Sequence, residues 1–152
     1  MKRISALIFV VLCVFLPQAY AEIVELNVGT IDVPHGYTNK RTGTKDSERG
    51  ELSNPIRNLI IYYDIGAMAG THMNSQRTPE CLWYQEYSIN NRKIFSGIRN
   101  REGKRQLIIT ITQEPINGAF WFPANFWADI NKDEDIAEVL LTALSYLPHP
   151  GK

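Results

Sequence analysis

The chain has 152 residues, 44% of them hydrophobic, with 16 basic and 16 acidic side chains and a formal net charge of zero. This balance argues against a nucleic-acid partner, because proteins that bind phosphate backbones usually carry a strong basic excess. The length suits one domain and is too short for two ordinary ones.

The first 21 residues have the pattern of a cleaved secretion signal. Two basic residues are followed by the apolar run Ile4–Leu16, and Ala19 and Ala21 supply the small side chains that a signal peptidase reads. The run has 13 residues, whereas a membrane-spanning helix needs about 20. We therefore expect cleavage before Glu22 and export of residues 22–152 as one globular domain.

Cleavage changes two properties of the chain. Cys13 is removed, so Cys81 is the only cysteine left and no disulfide can form within the mature chain. Lys2 and Arg3 are also removed, so 14 basic and 16 acidic side chains remain and the net charge becomes −2. Because small secreted domains of eukaryotes usually rely on several disulfides, we expect a bacterial periplasmic protein.

The N-terminal half predicts short strands, a charged loop and a longer strand. The short strands are Ile23–Val28 and Thr30–Val33. Thr38–Arg49 is the most polar stretch and is typical of a surface loop, and long loops are often functional. Leu59–Asp64 is β-branched and aromatic, which indicates a central strand. The glycines after it favour a tight turn, since no Gly-Lys-Ser/Thr sequence follows to make a phosphate-binding loop.

The middle of the chain predicts an antiparallel meander. Leu82–Ile89 alternates between two faces, and Asn90-Asn91 is a two-residue turn of side chains that tolerate positive φ. Arg92–Ile98 returns as the second strand, and Arg105–Gln113 forms the third. Phe120–Phe122 is a candidate for one further short strand.

The C-terminus predicts an amphipathic helix. Apolar residues between Ile136 and Leu147 recur at helical spacing. Asn131 is the expected cap, and Glu134 lies three residues further on, near a capping-box arrangement. The elements together predict an α+β fold, in which an antiparallel sheet, built from the meander Leu82–Gln113 and the N-terminal strands, is packed by this helix.

Few residues suggest catalysis or metal binding. Cys81 could act as a nucleophile with His72 or His35 as base, but no hydrolase signature surrounds it, and a lone cysteine is more often a small buried hydrophobe. Asp32 and His35, with His72, could contribute to a metal site. However, Asp32 and His35 point to opposite faces of a strand and His72 is far away in the sequence, which is poor geometry for a shared metal ion. We expect no cofactor and no metal, and we favour a binding protein over an enzyme.

Two groups of side chains are candidates for binding. One is the charged loop together with the end of the following strand, and the other is the aromatic cluster Phe120–Trp127. Exposed tryptophans serve as platforms for sugars or as anchors in protein interfaces, although packing in the core is their commoner role. The candidate binding residues are Lys45, Asp46, Glu48, Arg49, Asp64, Trp121 and Trp127.

Three functional hypotheses remain open. The first is a periplasmic interaction protein, such as an inhibitor or immunity protein against an enzyme that acts on the cell envelope, with the charged loop entering the partner's cleft. The second is a carbohydrate- or lipid-binding module that uses the aromatic cluster. The third is a small periplasmic hydrolase. We expect a protein partner in the envelope, no nucleic acid and no membrane span, and the sequence leaves the oligomeric state open.

Overall fold

A computed structural model describes residues 21–43, 46–73, 81–113 and 122–149 of the chain. These residues form ten strands and one helix, which we number in chain order. The strands are β1 (Ala21–Glu25), β2 (Gly29–Pro34), β3 (Thr38–Arg41), β4 (Glu48–Asn54), β5 (Leu59–Ile65), β6 (Cys81–Ile89), β7 (Arg92–Arg101), β8 (Lys104–Gln113), β9 (Ala124–Asp129) and β10 (Leu147–Pro148). The helix α1 spans Asp133–Leu144.

Seven of the strands form one antiparallel sheet in the order β3-β4-β5-β9-β8-β7-β6. A second sheet has the order β1-β2-β10. Strand β9 lies between β5 and β8, and so joins the N-terminal strands to the meander. Helix α1 contacts β2, β8 and β9. The predicted α+β fold, an antiparallel sheet packed by a C-terminal helix, is confirmed.

The main core lies between one face of the large sheet and a layer made of α1 and the small sheet. Successive side chains of a strand point to opposite faces, so every second residue of β5 enters this core. These residues are Leu59, Ile61, Tyr63 and Ile65. The covering layer contributes Ile31, Val33, Val139 and Ala143.

The opposite face of the sheet carries a smaller buried cluster, formed by Met73, Cys81, Phe95 and Ile108. Gly97 of β7 makes room for it. A Cβ at this position would lie 2.7 Å from the methyl carbon of Met73 and 3.1 Å from Sγ of Cys81. The burial of Cys81 agrees with its interpretation as a small apolar side chain.

The predicted meander is confirmed as β6, β7 and β8, with its first turn as expected. Asn90 and Asn91 have φ angles of 49° and 63°, which suit a two-residue hairpin turn. In the described part of the chain, no helix is long and apolar enough to cross a membrane. The predicted signal peptide lies outside the described residues, apart from Ala21 at the start of β1.

The prediction that Thr38–Arg49 is a surface loop is wrong at both of its ends. Its two ends belong to β3 and β4, which pair as a hairpin. The charges that suggested a loop form ion pairs across these strands, with Lys40 3.3 Å from Glu51 and Arg41 3.4 Å from Glu48. Because β3 is the edge of the sheet, charged side chains are expected on it.

The predicted cap of the helix is also wrong, by one residue. Lys132 is the N-cap residue, and the carboxylate of Asp135 accepts the backbone N–H groups of Asn131 and Lys132 at 3.1 and 3.0 Å. Asp135 therefore has the role that the sequence assigned to Glu134. The predicted strand Phe120–Phe122 lies largely outside the described residues, and Phe122 itself precedes β9.

Candidate functional site

The predicted binding residues lie in two places. Arg49, Asp64 and Trp127 are close together on the face of the large sheet opposite α1, as the strand register requires. Asp46 and Glu48 instead line a cleft beside the small sheet. Two further predicted residues lie outside the described part of the chain: Lys45 and Trp121.

The register aligns aromatic side chains in a row across the face opposite α1. Tyr62 of β5 is the cross-strand partner of Trp127 of β9. Their rings stack, with centroids 5.7 Å apart and an interplanar angle of 16°. His72, which follows β5, places its ring centroid 4.9 Å from that of Trp127 at an angle of 51°. We call the surface formed by Arg49, Tyr62, His72 and Trp127 the Trp127 patch.

An ion pair lies beside these rings on the same face of the sheet, between β5 and its neighbour β4. Arg49 and Asp64 are cross-strand partners, and Nε of Arg49 lies 2.9 Å from Oδ2 of Asp64. The Asp64 side chain is only 4% exposed, whereas that of Arg49 is 47% exposed. A guanidinium carries five N–H donors. Arg49 therefore neutralises a buried carboxylate while it presents part of its donor group at the surface.

Buried hydrogen bonds hold the segment that carries His72. Oδ1 of Asn125 accepts the backbone N–H of His72 at 3.1 Å and the hydroxyl of Thr110 at 2.7 Å. The amide of Asn125 donates to the carbonyl of Gly70 at 3.1 Å, and Oγ1 of Thr110 accepts the N–H of Met73 at 2.9 Å. Since Asn125 and Thr110 are fully buried, they position His72 from beneath and are not themselves available to a ligand.

The pKa of His72 is lowered from its ordinary value. Burial of the ring is the largest cause, because it disfavours the protonated form. The carboxylate of Asp64 opposes this effect, while Arg49 and Arg99 add to it by repulsion. The lowered pKa favours the neutral form of His72, an aromatic ring with one N–H donor and one acceptor.

The cleft that contains Asp46 and Glu48 has a volume of about 530 Å³. It lies between the β1–β2 connection, the β3–β4 hairpin and the residues after β5. Arg41 is on its wall together with the two carboxylates, and Met68 and Phe122 supply exposed apolar surface. The cleft is therefore mixed in character, with charges on one side and an apolar rim on the other.

The possible catalytic groups are not brought together. Sγ of Cys81 donates to the carbonyl of Trp83 at 2.7 Å. His35 pairs with Glu22 beside the small sheet, and His72 packs on Trp127. Among the described residues, no group of three His, Cys, Asp or Glu side chains could hold a metal ion.

Sequence reasoning did not single out Tyr62, Arg41 or Phe122 as site residues, although Arg41 lies in the predicted loop and Phe122 in the predicted aromatic cluster. It considered His72 only as a base or a metal ligand. For Tyr62 a signal was present. Tyr62 and Asp64 are two apart in a strand, so they share a face, and Asp64 was already a candidate. Arg41 was not singled out within the charged loop, because its place in the cleft depends on the pairing of β3 with β4.

Comparisons with known proteins give no family for the chain. No protein-family model matches it, and neither the curated proteins nor the solved structures contain a match.

Proposed function

We propose that this protein is an exported binding protein that attaches to a protein partner through the Trp127 patch. The observation that carries the proposal is the stacking of Tyr62 on Trp127 beside the half-exposed Arg49. Tryptophan, tyrosine and arginine are the residue types that contribute most to binding energy in protein interfaces. Here all three lie on adjacent strands of one sheet.

The patch is held in its binding geometry before a partner arrives. Trp127 packs against the buried cluster around Ile108, and Arg49 is fixed by its ion pair with Asp64. Side chains that are already ordered lose little conformational entropy on binding, so more of the contact energy appears as affinity. Ile60, 40% exposed on the same strand face, extends the apolar area beyond Tyr62.

The chemistry of the patch indicates what the partner presents. An acidic group of the partner would pair with the exposed part of the Arg49 guanidinium, while the rings of Tyr62 and Trp127 would contact apolar surface around it. Enzymes that cleave glycans usually carry two carboxylates in their active site. We therefore propose that the partner is an enzyme acting on the cell envelope, and that this protein inhibits it.

The same patch is less suited to a sugar. A sugar ring stacks on the open face of an aromatic side chain, but His72 lies across Trp127 at 4.9 Å. A protein partner does not require a free ring face, because it can contact ring edges and the neighbouring arginine.

Export is part of the proposal. Cleavage after Ala21 would remove only the first residue of β1, and Glu22 would keep its contact with His35. Expression of the full chain in a bacterium, followed by N-terminal sequencing of the periplasmic fraction, tests this step. A mature chain beginning at Glu22 is expected, and an uncleaved chain in the cytoplasm would contradict export.

The binding proposal is tested with the purified mature protein as bait in a bacterial envelope extract. A retained partner is identified, purified and titrated against the wild type and the variants Tyr62→Ala, Arg49→Glu and Leu141→Ala. Leu141 is the matched control, because it is an apolar side chain 70% exposed on α1. We expect losses of about 30-fold or more for the two patch variants.

The control variant should bind within about threefold of the wild type. Circular dichroism and thermal melts of each variant establish that it is folded. A partner that binds all variants equally, or an extract from which only small molecules are retained, would remove the basis of the proposal. Inhibition is then measured as residual activity of the partner with and without the protein.

A further inference from the structure

The cleft between the small sheet and the β3–β4 hairpin contains a buried carboxylate with spare hydrogen-bonding capacity. Oε2 of Glu48 accepts the backbone N–H groups of Asn27 and Val28, at 2.6 and 3.3 Å. Oε1 lies 3.4 Å from Nε of Arg41, which is an ion-pair distance. Among the described residues this oxygen has no hydrogen-bond partner, although the Glu48 side chain is only 5% exposed.

An unsatisfied buried oxygen is costly, and a group that donates to it would recover part of that cost. Arg41 cannot easily turn further toward it, because its guanidinium also donates to the carbonyl of Glu25. Oε1 itself is closed to solvent in this structure, but Glu48 lines the cleft, so a small movement of the half-exposed Arg41 side chain would let a ligand supply the missing donor.

The charge balance of the cleft favours a neutral donor over a cation. The negative charge of Glu48 is already matched by Arg41 and by two backbone N–H groups. An added cation would lie beside Arg41 and be repelled by it, and an added anion would meet Glu48 and Asp46. A neutral hydroxyl or amide N–H can donate to Oε1 without repulsion from Arg41 or from the two carboxylates.

The other side of the cleft is apolar and accessible. Phe122 is 50% exposed and Met68 is 69% exposed, and both line the cleft. Its volume of about 530 Å³ lies within the range of small-molecule sites, roughly 300–1,000 Å³. The occupant therefore needs hydroxyl donors along one side and a flat C–H surface along the other.

We infer that the cleft is a binding site for a small neutral saccharide of one or two rings. Hydroxyl groups of the sugar donate to Oε1 of Glu48 and to Asp46, and the C–H face of a ring packs on Phe122. This site is distinct from the Trp127 patch, which lies on the other face of the large sheet, so each can fail without the other.

The test is a titration of the mature protein by calorimetry and by two-dimensional NMR. The probes are glucose, N-acetylglucosamine, their β-1,4-linked disaccharides and, as a cation of similar size, spermidine. We expect at least one neutral sugar to bind and to shift the backbone signals of residues 27–28, 41 and 66–68. Signal shifts confined to Tyr62 and Trp127 would contradict the placement in the cleft.

Variants locate the site. Phe122→Ala should weaken sugar binding about tenfold or more, and the control Ile56→Ala, which removes an apolar side chain 91% exposed elsewhere, should leave it unchanged. Glu48→Gln tests the acceptor. Because Glu48 also holds the β1–β2 connection, the Glu48→Gln protein can fail to fold, and Phe122→Ala then provides the test. Binding of spermidine alone, or of no probe at all, would overturn the inference.

Discussion

Tyr62 stacks on Trp127 across the junction of β5 and β9, with ring centroids 5.7 Å apart. This contact joins two strands that are far apart in the sequence and lies at the centre of the surface proposed for partner binding. The pair therefore has two roles, since it stabilises the sheet and supplies exposed aromatic area.

The first prediction concerns the energy of this contact. In a double-mutant cycle with Tyr62→Ala and Trp127→Ala, we expect a coupling free energy of about 0.5–1.5 kcal/mol, the range for stacked aromatic pairs. Urea denaturation of the four proteins measures it. As a control, Tyr62→Ala combined with Ile89→Ala, at the far edge of the sheet, should be additive. Additive effects for Tyr62 and Trp127 would show that the rings do not stabilise one another.

The second prediction concerns the segment that carries His72. Asn125→Ala removes the acceptor of the His72 N–H and leaves that group and the Thr110 hydroxyl short of a partner. The free energy of unfolding should fall by about 2 kcal/mol or more. Amide hydrogen exchange at His72 should accelerate more than exchange at Leu107 in the centre of β8.

Asn54→Ala is the matched control for this experiment. Like Oδ1 of Asn125, Oδ1 of Asn54 accepts two hydrogen bonds. They come from the backbone N–H groups of Ile56 and Arg57, at 3.1 and 3.2 Å. Its loss should accelerate exchange in the β4–β5 turn and leave the relative protection of His72 unchanged. Equal acceleration at His72 in both variants would mean that Asn125 does not hold the segment specifically.

The third prediction is a dependence of stability on pH that arises from His72. Its folded pKa lies below 6.5, the ordinary value, so the unfolded chain binds a proton first as the pH falls. The contribution of His72 to stability is therefore present above about pH 6.5 and is lost as the pH decreases below it. Urea denaturation at about pH 7.5 and about pH 5.5 should show a smaller decrease for His72→Gln than for the wild type. Identical decreases would contradict the lowered pKa.

The parts of the fold that the sequence predicted depend on local signals. Strands β6 and β7 were placed by alternation of side chains and by the positive-φ turn at Asn90-Asn91, which requires no knowledge of the rest of the fold. Strand β9 was not identified, because it is largely buried on both faces and its sequence does not alternate.

The candidate site was predicted only in part for the same reason. Arg49, Asp64 and Trp127 were chosen separately, as a loop charge, a strand-end carboxylate and an aromatic side chain. Their proximity follows from the pairing of β5 with both β4 and β9. In the pairing of β5 with β9, Asp64 lies opposite Asn125, which is distant from it in the sequence. Register between distant strands depends on the complete core and is not encoded in any short segment.

The last prediction distinguishes the observed helix cap from the one that the sequence suggested. Asp135→Ala removes the carboxylate that accepts the N–H groups of Asn131 and Lys132, so the free energy of unfolding should fall by about 1–2 kcal/mol. Glu134→Ala is the matched control, because it removes the adjacent acidic side chain in the same turn, which is exposed. Its cost should be no more than about 0.5 kcal/mol. Urea denaturation of both variants decides the point, since an equal or larger cost for Glu134→Ala would assign the cap to Glu134.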